Sequence, residues 1–247
     1  MESKDEIWKD ETLVESFLED VRESIPFADG QKELILHLVR SLDIPVRKIL
    51  DLGCGDGILG KLILQNVPGS ECLFVDFSEP MLTQAEKSLG EFRNRVKFIK
   101  ADYKDETFWR DAASQGLFDL VISGFSIHHQ PDEGKKKIYR EIYALLSEGG
   151  MFLHLEHVAS RSSWINTVSN NMIVDSVHCH HSRLETGKSR EEIHELIFND
   201  PDNEANILAY AEDQCDWLRD IGYSDVDCYF KVFELAIFGG RRTVSAD

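Results

Sequence analysis

The sequence predicts an α/β fold: a mostly parallel seven-stranded sheet with helices on both faces, an antiparallel last edge strand and a helical cap. Three observations lead there. Between residues 47 and 157 short apolar runs of β type alternate with segments of helical period, and parallel neighbours need such crossovers. Beyond residue 157 the alternation stops, and a polar stretch of helical flavour runs to 212. Two β-rich runs, 226–233 and 235–238, then lie so close together that a tight turn must join them antiparallel.

Taken in order, Ile7, Trp8, Leu13, Val14, Phe17, Leu18 and Val21 recur among acidic residues at helical spacing. Ile25-Pro26-Phe27 interrupts that pattern, and Leu34, Ile35, Leu38, Val39 and Leu42 resume it. These two helices form an amino-terminal unit over 1–45, placed as a lid. Strand 47–52, helix 57–66, strand 71–76, helix 79–90 and strand 96–100 follow. A helical or irregular stretch (105–115) leads to strand 118–123, helix 132–146 and strand 151–157, which closes a core spanning 46–157. The cap occupies 158–211, with Pro201 and Asn203 as a break. A helix at 212–220 ends at Gly222, and with the strand pair it completes the core over 212–247.

Charge and composition narrow the partners. The 247 residues carry 45 acidic against 27 basic side chains, a net charge of −18. Nucleic-acid affinity rests on Lys and Arg neutralising phosphates, so a nucleic-acid substrate is not expected. No apolar segment approaches the ~20 residues that span a bilayer, and Met1-Glu2-Ser3-Lys4-Asp5-Glu6 lacks the apolar core of a secretory signal. The five cysteines (54, 72, 179, 215, 228) form no CxxC pair and read as reduced thiols. A cytoplasmic protein without membrane contact is expected, and a homodimer stays open.

The chemistry concentrates at Ile49-Leu-Asp51-Leu-Gly53-Cys54-Gly55-Asp56-Gly57. A buried strand that enters a helix through a glycine-rich turn lets the backbone approach a ligand closely. Gly55-Asp-Gly57-Ile-Leu-Gly60 satisfies the GxGxxG pattern of dinucleotide sites, and Asp76 lies where either a nicotinamide or an adenosine cofactor would present ribose hydroxyls. Three features separate the two. Asp51, before the first glycine, would attract an ammonium and repel a pyrophosphate. Asp102 adds a carboxylate at the end of the third strand, suited to an adenine amino group. The first glycine of the GxGxxG match lies inside the turn, not at its start. Acids at 51, 76 and 102 suit a ligand with cationic groups better than one with two phosphates.

Several motifs in order carry a resemblance. Asp51-Leu-Gly53-Cys-Gly55-Asp-Gly57 is similar to the glycine-rich first motif of the class I (Rossmann-like) S-adenosylmethionine-dependent methyltransferases. Val75-Asp76-Phe77-Ser78-Glu79-Pro80-Met81-Leu82 resembles their ribose and adenine segment, and Ala101-Asp102-Tyr103 their adenine-edge motif. The run 118–129 resembles the fourth strand and its following loop. Leu145-Leu146-Ser147-Glu148-Gly149-Gly150 resembles the turn before strand five, with Glu148 at a usual proline. The resemblance implies an enzyme that binds S-adenosyl-L-methionine. It implies that Gly53 and Gly55 pass against the methionine and ribose portions, with Asp51 near the amino group. Asp76 would take the ribose hydroxyls, Phe77 and Met81 the adenine faces, Asp102 and Tyr103 the adenine edge. Ser123 to Phe125 would lie under the methionine moiety.

Methyl transfer from a sulfonium is an in-line displacement, so the protein supplies alignment and, where needed, a base. Candidates belong at the carboxyl ends of strands four and five: His128 (with His129) and His157. A second arrangement is a divalent-metal site from Glu156, His157, His178 and His181, since His178 and His181 stand about one helical turn apart. The segment 214–233 resembles small-molecule methyltransferases of unassigned substrate, which implies a small-molecule methyl acceptor. Arg22-Glu-Ser-Ile25-Pro26-Phe27 and the cap also resemble carboxy-S-adenosylmethionine synthases. Those clamp a carboxylated cofactor with an arginine in the helix before the last two strands, a position that falls at or beside Trp217, with Arg219 offset. A non-catalytic S-adenosylmethionine-binding module is the third reading.

Overall fold

The computed structural model describes residues 25–198 and 205–244. The predicted first helix (5–24) and the break at Pro201 and Asn203 lie outside them. Helix α1 (Ala28–Arg40) comes first, followed by β1 (Lys48–Leu52), α2 (Ile58–Asn66), β2 (Glu71–Asp76), α3 (Glu79–Ser88) and β3 (Val96–Lys100). Then come α4 (Glu106–Ser114), β4 (Phe118–Gly124), α5 (Asp132–Leu145) and β5 (Leu146–His157). Helices α6 (Ser163–Arg183) and α7 (Arg190–Phe198) form the region after β5, and α8 (Ala211–Ile221), β6 (Tyr223–Val232) and β7 (Leu235–Arg242) close the chain.

The seven strands lie in the order β3-β2-β1-β4-β5-β7-β6. Pairings among β1 to β5 are parallel, whereas β7 runs antiparallel between β5 and β6. Period-2 alternation assigns the side chains to two cores. Leu50 and Leu52 face a cluster with Tyr139, Phe152 and Phe238, while Ile49 faces Ile35, Ile63 and Phe74 on the other side. Helices α6 and α7 share a small separate cluster of Val174, Val177 and Ile193. Among the described residues no helix is long and apolar enough to cross a membrane.

Three strands exceed their predicted lengths for identifiable reasons. β5 begins at Leu146 because the Gly149-Gly150 segment is absorbed as an irregularity: the register with β4 jumps from Phe118–Leu146 to Leu120–Met151. β7 continues through Gly239, whose position is tight against β5; a Cβ there would stand 2.0 Å from the Phe152 carbonyl oxygen. β6 starts three residues early, at Tyr223, because breaks in register near Ser224/Asp227 interrupt its alternation.

The chain builds β1 to β3 outward in one direction, then returns to place β4 on the opposite side of β1. That reversal opens a crevice outside the carboxyl ends of β1 and β4, where open α/β sheets bind ligands.

Candidate functional site

A cleft occupies this switch point, with about 1180 Å³ of free space counting its open mouth, ample for a nucleoside-sized ligand. Gly53 shapes its floor. Its φ is +65°, and an added Cβ would stand 1.9 Å from Ser126 Oγ, so only glycine lets the β1 turn pass the loop after β4. Tyr103 ties that loop down by donating its hydroxyl proton to the Ser126 carbonyl at 2.9 Å.

Two buried carboxylates face the cleft. Asp51 Oδ2 accepts the Gly60 N–H at 2.8 Å, which anchors the first turn of α2 on the end of β1. Asp76 accepts Gly55 N–H (2.9 Å) on Oδ2 and Ser78 N–H (2.8 Å) on Oδ1. Burial pushes the Asp76 carboxyl up to about 6, against the lowering effect of the backbone donors of Ser78, Gly55 and Phe77. Asp56 is a third carboxylate in the lining, and Phe77, Met81 and Tyr103 supply apolar walls. Such a donor and acceptor set fits a nucleoside that carries cationic groups.

The other sequence candidates lie around this cleft. Gly55 and Phe125 line it. Phe125 holds φ of +49°, a conformation uncommon for a bulky residue, and its N–H donates to the Leu155 carbonyl at 2.9 Å. Ser123 lies behind the wall, its hydroxyl donating to the Leu52 carbonyl at 2.8 Å. Asp102 is outside the lining residues; Oδ1 accepts Lys104 N–H at 2.8 Å and Oδ2 pairs with Lys104 Nζ at 3.2 Å.

Beside the cleft a cluster of histidines gathers at the ends of β4 and β5. His129 lines the cleft, and its ring lies tilted at 48° to that of His128, with centroids 4.0 Å apart. His128 is buried, with Nδ1 2.5 Å from Glu156 Oε1. The second Glu156 oxygen stands 2.6 Å from His154 Nε2. Burial alone would raise the Glu156 carboxyl, but His128 and His154 outweigh it and hold the group well below the ordinary carboxylate value. Tyr139 continues the chain inward, donating to Gln214 Oε1 at 2.6 Å. His157 lies 6.0 Å from His128, ring to ring, and 3.5 Å from Glu234. Buried Lys135 fixes the turn from below, its ammonium donating to the carbonyls of Gln130 and Ile207.

The four metal candidates do not converge. Glu156 and His157 sit at the end of β5, whereas His181, near the end of α6, shares a hydrogen bond with Thr186 at 3.1 Å. Among the described residues no group of three or more His, Cys, Asp or Glu side chains is arranged to hold a metal ion. Arg219 is likewise engaged elsewhere: it pairs with Asp216 at 2.7 Å and donates to the Val226 carbonyl at 3.0 Å. Lys136 lies over the Trp217 ring at 4.9 Å.

Sequence reasoning missed the contribution of α1, whose Gln31, Lys32 and Ile35 line the cleft; the loop after β4, which it did mark, contributes Ser126 and His129. The helical period of α1 marked Ile35 as core-facing. Nothing in the pattern announced that its amino-terminal end would line the cleft.

Comparison with known proteins agrees with this geometry. Residues 49–150 match the family described as a methyltransferase domain. A carboxy-S-adenosyl-L-methionine synthase of Shewanella amazonensis is 26% identical over 229 residues, covering 87% of this chain and 84% of that protein. A demethylmenaquinone methyltransferase of Thermus thermophilus is 31% identical over 121 residues, covering 47% of this chain and 52% of that one. Among solved structures, human N-acetylserotonin methyltransferase with bound S-adenosylmethionine superposes with a TM-score of 0.60 at 16% identity, over 96% of this chain and 58% of that chain. An O-methyltransferase family protein of Burkholderia thailandensis gives 0.60 at 17% identity, over 93% of this chain and 62% of that chain. The chain therefore spans about three fifths of those solved chains, and at such identities the likeness speaks for the fold.

Proposed function

We propose that this chain, whose residues 49–150 match a methyltransferase domain family, is an enzyme that transfers the methyl group of S-adenosylmethionine to a small-molecule acceptor. The acceptor would enter beside the histidine cluster at the ends of β4 and β5. When bound, S-adenosylmethionine supplies an electrophilic methyl carbon on a sulfonium. The chain's own residues hold and align. Asp76 would take the ribose hydroxyls, Asp51 the amino group, and Phe77 and Met81 the adenine faces. The turn at Gly53 brings the backbone against the ligand.

The observation that carries the reading is the adjacency of this cleft to a histidine backed by a buried carboxylate. With Glu156 ionised, His128 donates to it from Nδ1, which fixes the tautomer of the ring. Glu156 thereby orients the ring and stabilises the imidazolium formed when a proton is taken from an acceptor. His129 extends the same turn into the cleft, and His157 lies behind it.

A panel of small-molecule nucleophiles, assayed by S-adenosylhomocysteine release, tests the proposal. The expected result is turnover with at least one acceptor, reduced by about 10²-fold or more in His128→Ala while cofactor affinity is kept. Tight S-adenosylhomocysteine binding without turnover across the panel would favour a binding module instead.

One observation favours a second reading: the synthase of Shewanella amazonensis aligns over most of both chains. That protein's name implies an enzyme that modifies the cofactor itself. Mass spectrometry of the nucleoside that co-purifies with this chain separates the two. A carboxylated cofactor would replace methyl transfer as the leading reading.

A further inference from the structure

The cleft is unevenly charged. Asp51, Asp56 and Asp76 line it, and among the described lining residues Lys32 is the one lysine or arginine. S-adenosylmethionine carries two cationic groups, the sulfonium and the ammonium, and one anionic group, the carboxylate of its methionine end. On the cofactor reading proposed above, on which this inference rests, the acids serve the cationic groups and the ribose hydroxyls. The carboxylate needs a donor that none of the acids can be.

We propose that the first turn of α1 recognises the amino-acid end of the cofactor, with Lys32 pairing its carboxylate and Gln31 accepting from its ammonium. Three observations support this. Lys32 lies within the cleft lining, and its present partner is Asp29 Oδ1 at 3.2 Å. Asp29 is 94% exposed, so that pair contributes little, and an ammonium with three donors can hold a second anion. Gln31 is buried and also in the lining; its Nε2 donates to the Pro26 carbonyl at 2.9 Å. That bond fixes the amide orientation and leaves Oε1, an acceptor suited to an ammonium. Finally, the entry to α1 is held in place: Phe27 packs edge-on against Phe230 of β6 with ring centroids 6.3 Å apart, and Ile35 is buried in the sheet-facing core. The turn is thus presented to the cleft from a packed helix.

The assignment makes α1 a specificity element. It selects a cofactor with an intact amino-acid end over nucleosides that share only adenine, ribose and sulfur.

Isothermal titration of the full chain tests this with two ligands, S-adenosylmethionine and its decarboxylated form, which keeps the ammonium and the sulfonium. In Lys32→Met, S-adenosylmethionine should bind about tenfold more weakly, the loss of one charge-assisted contact of ~1.4 kcal/mol. The decarboxylated ligand should bind the variant and the wild type equally, and Lys32→Arg should recover most of the loss. Equal weakening of both ligands in Lys32→Met, or no weakening of either, would overturn the proposal while leaving the cofactor assignment intact. Failure of the wild type to bind either ligand would overturn both.

Discussion

His128 Nδ1 stands 2.5 Å from Glu156 Oε1, with both side chains sealed from solvent. Glu156 turns its other oxygen toward His154 at 2.6 Å, so one carboxylate lies between two imidazoles. A charge in that position persists only because its partners are in place, which makes the group a determinant of stability as well as of histidine orientation.

Replacing Glu156 with Gln should therefore destabilise the protein by about 3 kcal/mol near neutral pH, the cost of breaking a buried pair. The folded carboxyl is held well below its ordinary value. Its contribution is fully present above the unfolded value of 4.5 and fades as pH falls toward the folded one. Urea denaturation across a pH series should show the wild type and Glu156→Gln converging in acid. A deficit that stayed constant across that range would count against the carboxylate's role.

At Gly53 the expected effect falls on ligand affinity. Gly53→Ala places a Cβ 1.9 Å from Ser126 Oγ at a φ of +65°, a conformation costing a side chain ~1–2 kcal/mol before any clash. The S-adenosylhomocysteine Kd should rise by about tenfold or more. Adding Ser126→Gly to the same chain should restore part of the affinity, since it removes the obstructing atoms. Calorimetry on the two variants measures both effects.

Cofactor affinity should also depend on pH through Asp76. Its carboxyl sits at about 6 in the folded protein, raised by burial. Ribose hydroxyls donate to the ionised form, so affinity should fall as pH drops through about 6, by up to about tenfold per unit. The same raised value has the opposite sign for folding: its contribution is larger in acid and is lost as pH rises through about 6. Titrations with S-adenosylhomocysteine should show the fall in the wild type and a flat profile in Asp76→Asn.

Arg219 should be dispensable for the cofactor. Its guanidinium is engaged by Asp216 and the Val226 carbonyl and lies outside the cleft lining. Arg219→Ala should leave affinity for S-adenosylmethionine within about twofold, in keeping with surface changes of less than ~0.5 kcal/mol. A loss of tenfold or more would place Arg219 at the cofactor and count against this assignment.

Much of the sheet was legible because the inner parallel strands carry near-continuous apolar runs, while the edge strand β3 alternates with exposed Lys97 and Lys100. β2 and β3 match the predicted ranges residue for residue, 71–76 and 96–100. The ends of β5 and β6 were not, since Gly149 and the Ser224-Asp225 segment read as turns although the sheet absorbs them as irregularities. In the cleft, the residues on the glycine turn and the strand ends could be located because chain order places them there. Gln31 and Lys32 could not, because what puts them at the cleft is the packing of a helix outside the alternating core.

By itself the sequence determined the alternating core, the glycine turn and the acids that mark its ligand, because local periodicity and strand-end position are written in consecutive residues. Only the tertiary structure decided which side chains share one volume. It placed His129 in the cleft and His128 behind it on Glu156, kept His178 and His181 apart from β5, and brought the first turn of α1 over the glycine turn. Those relations depend on how helices dock across the sheet, and docking is settled by the packing of both cores together.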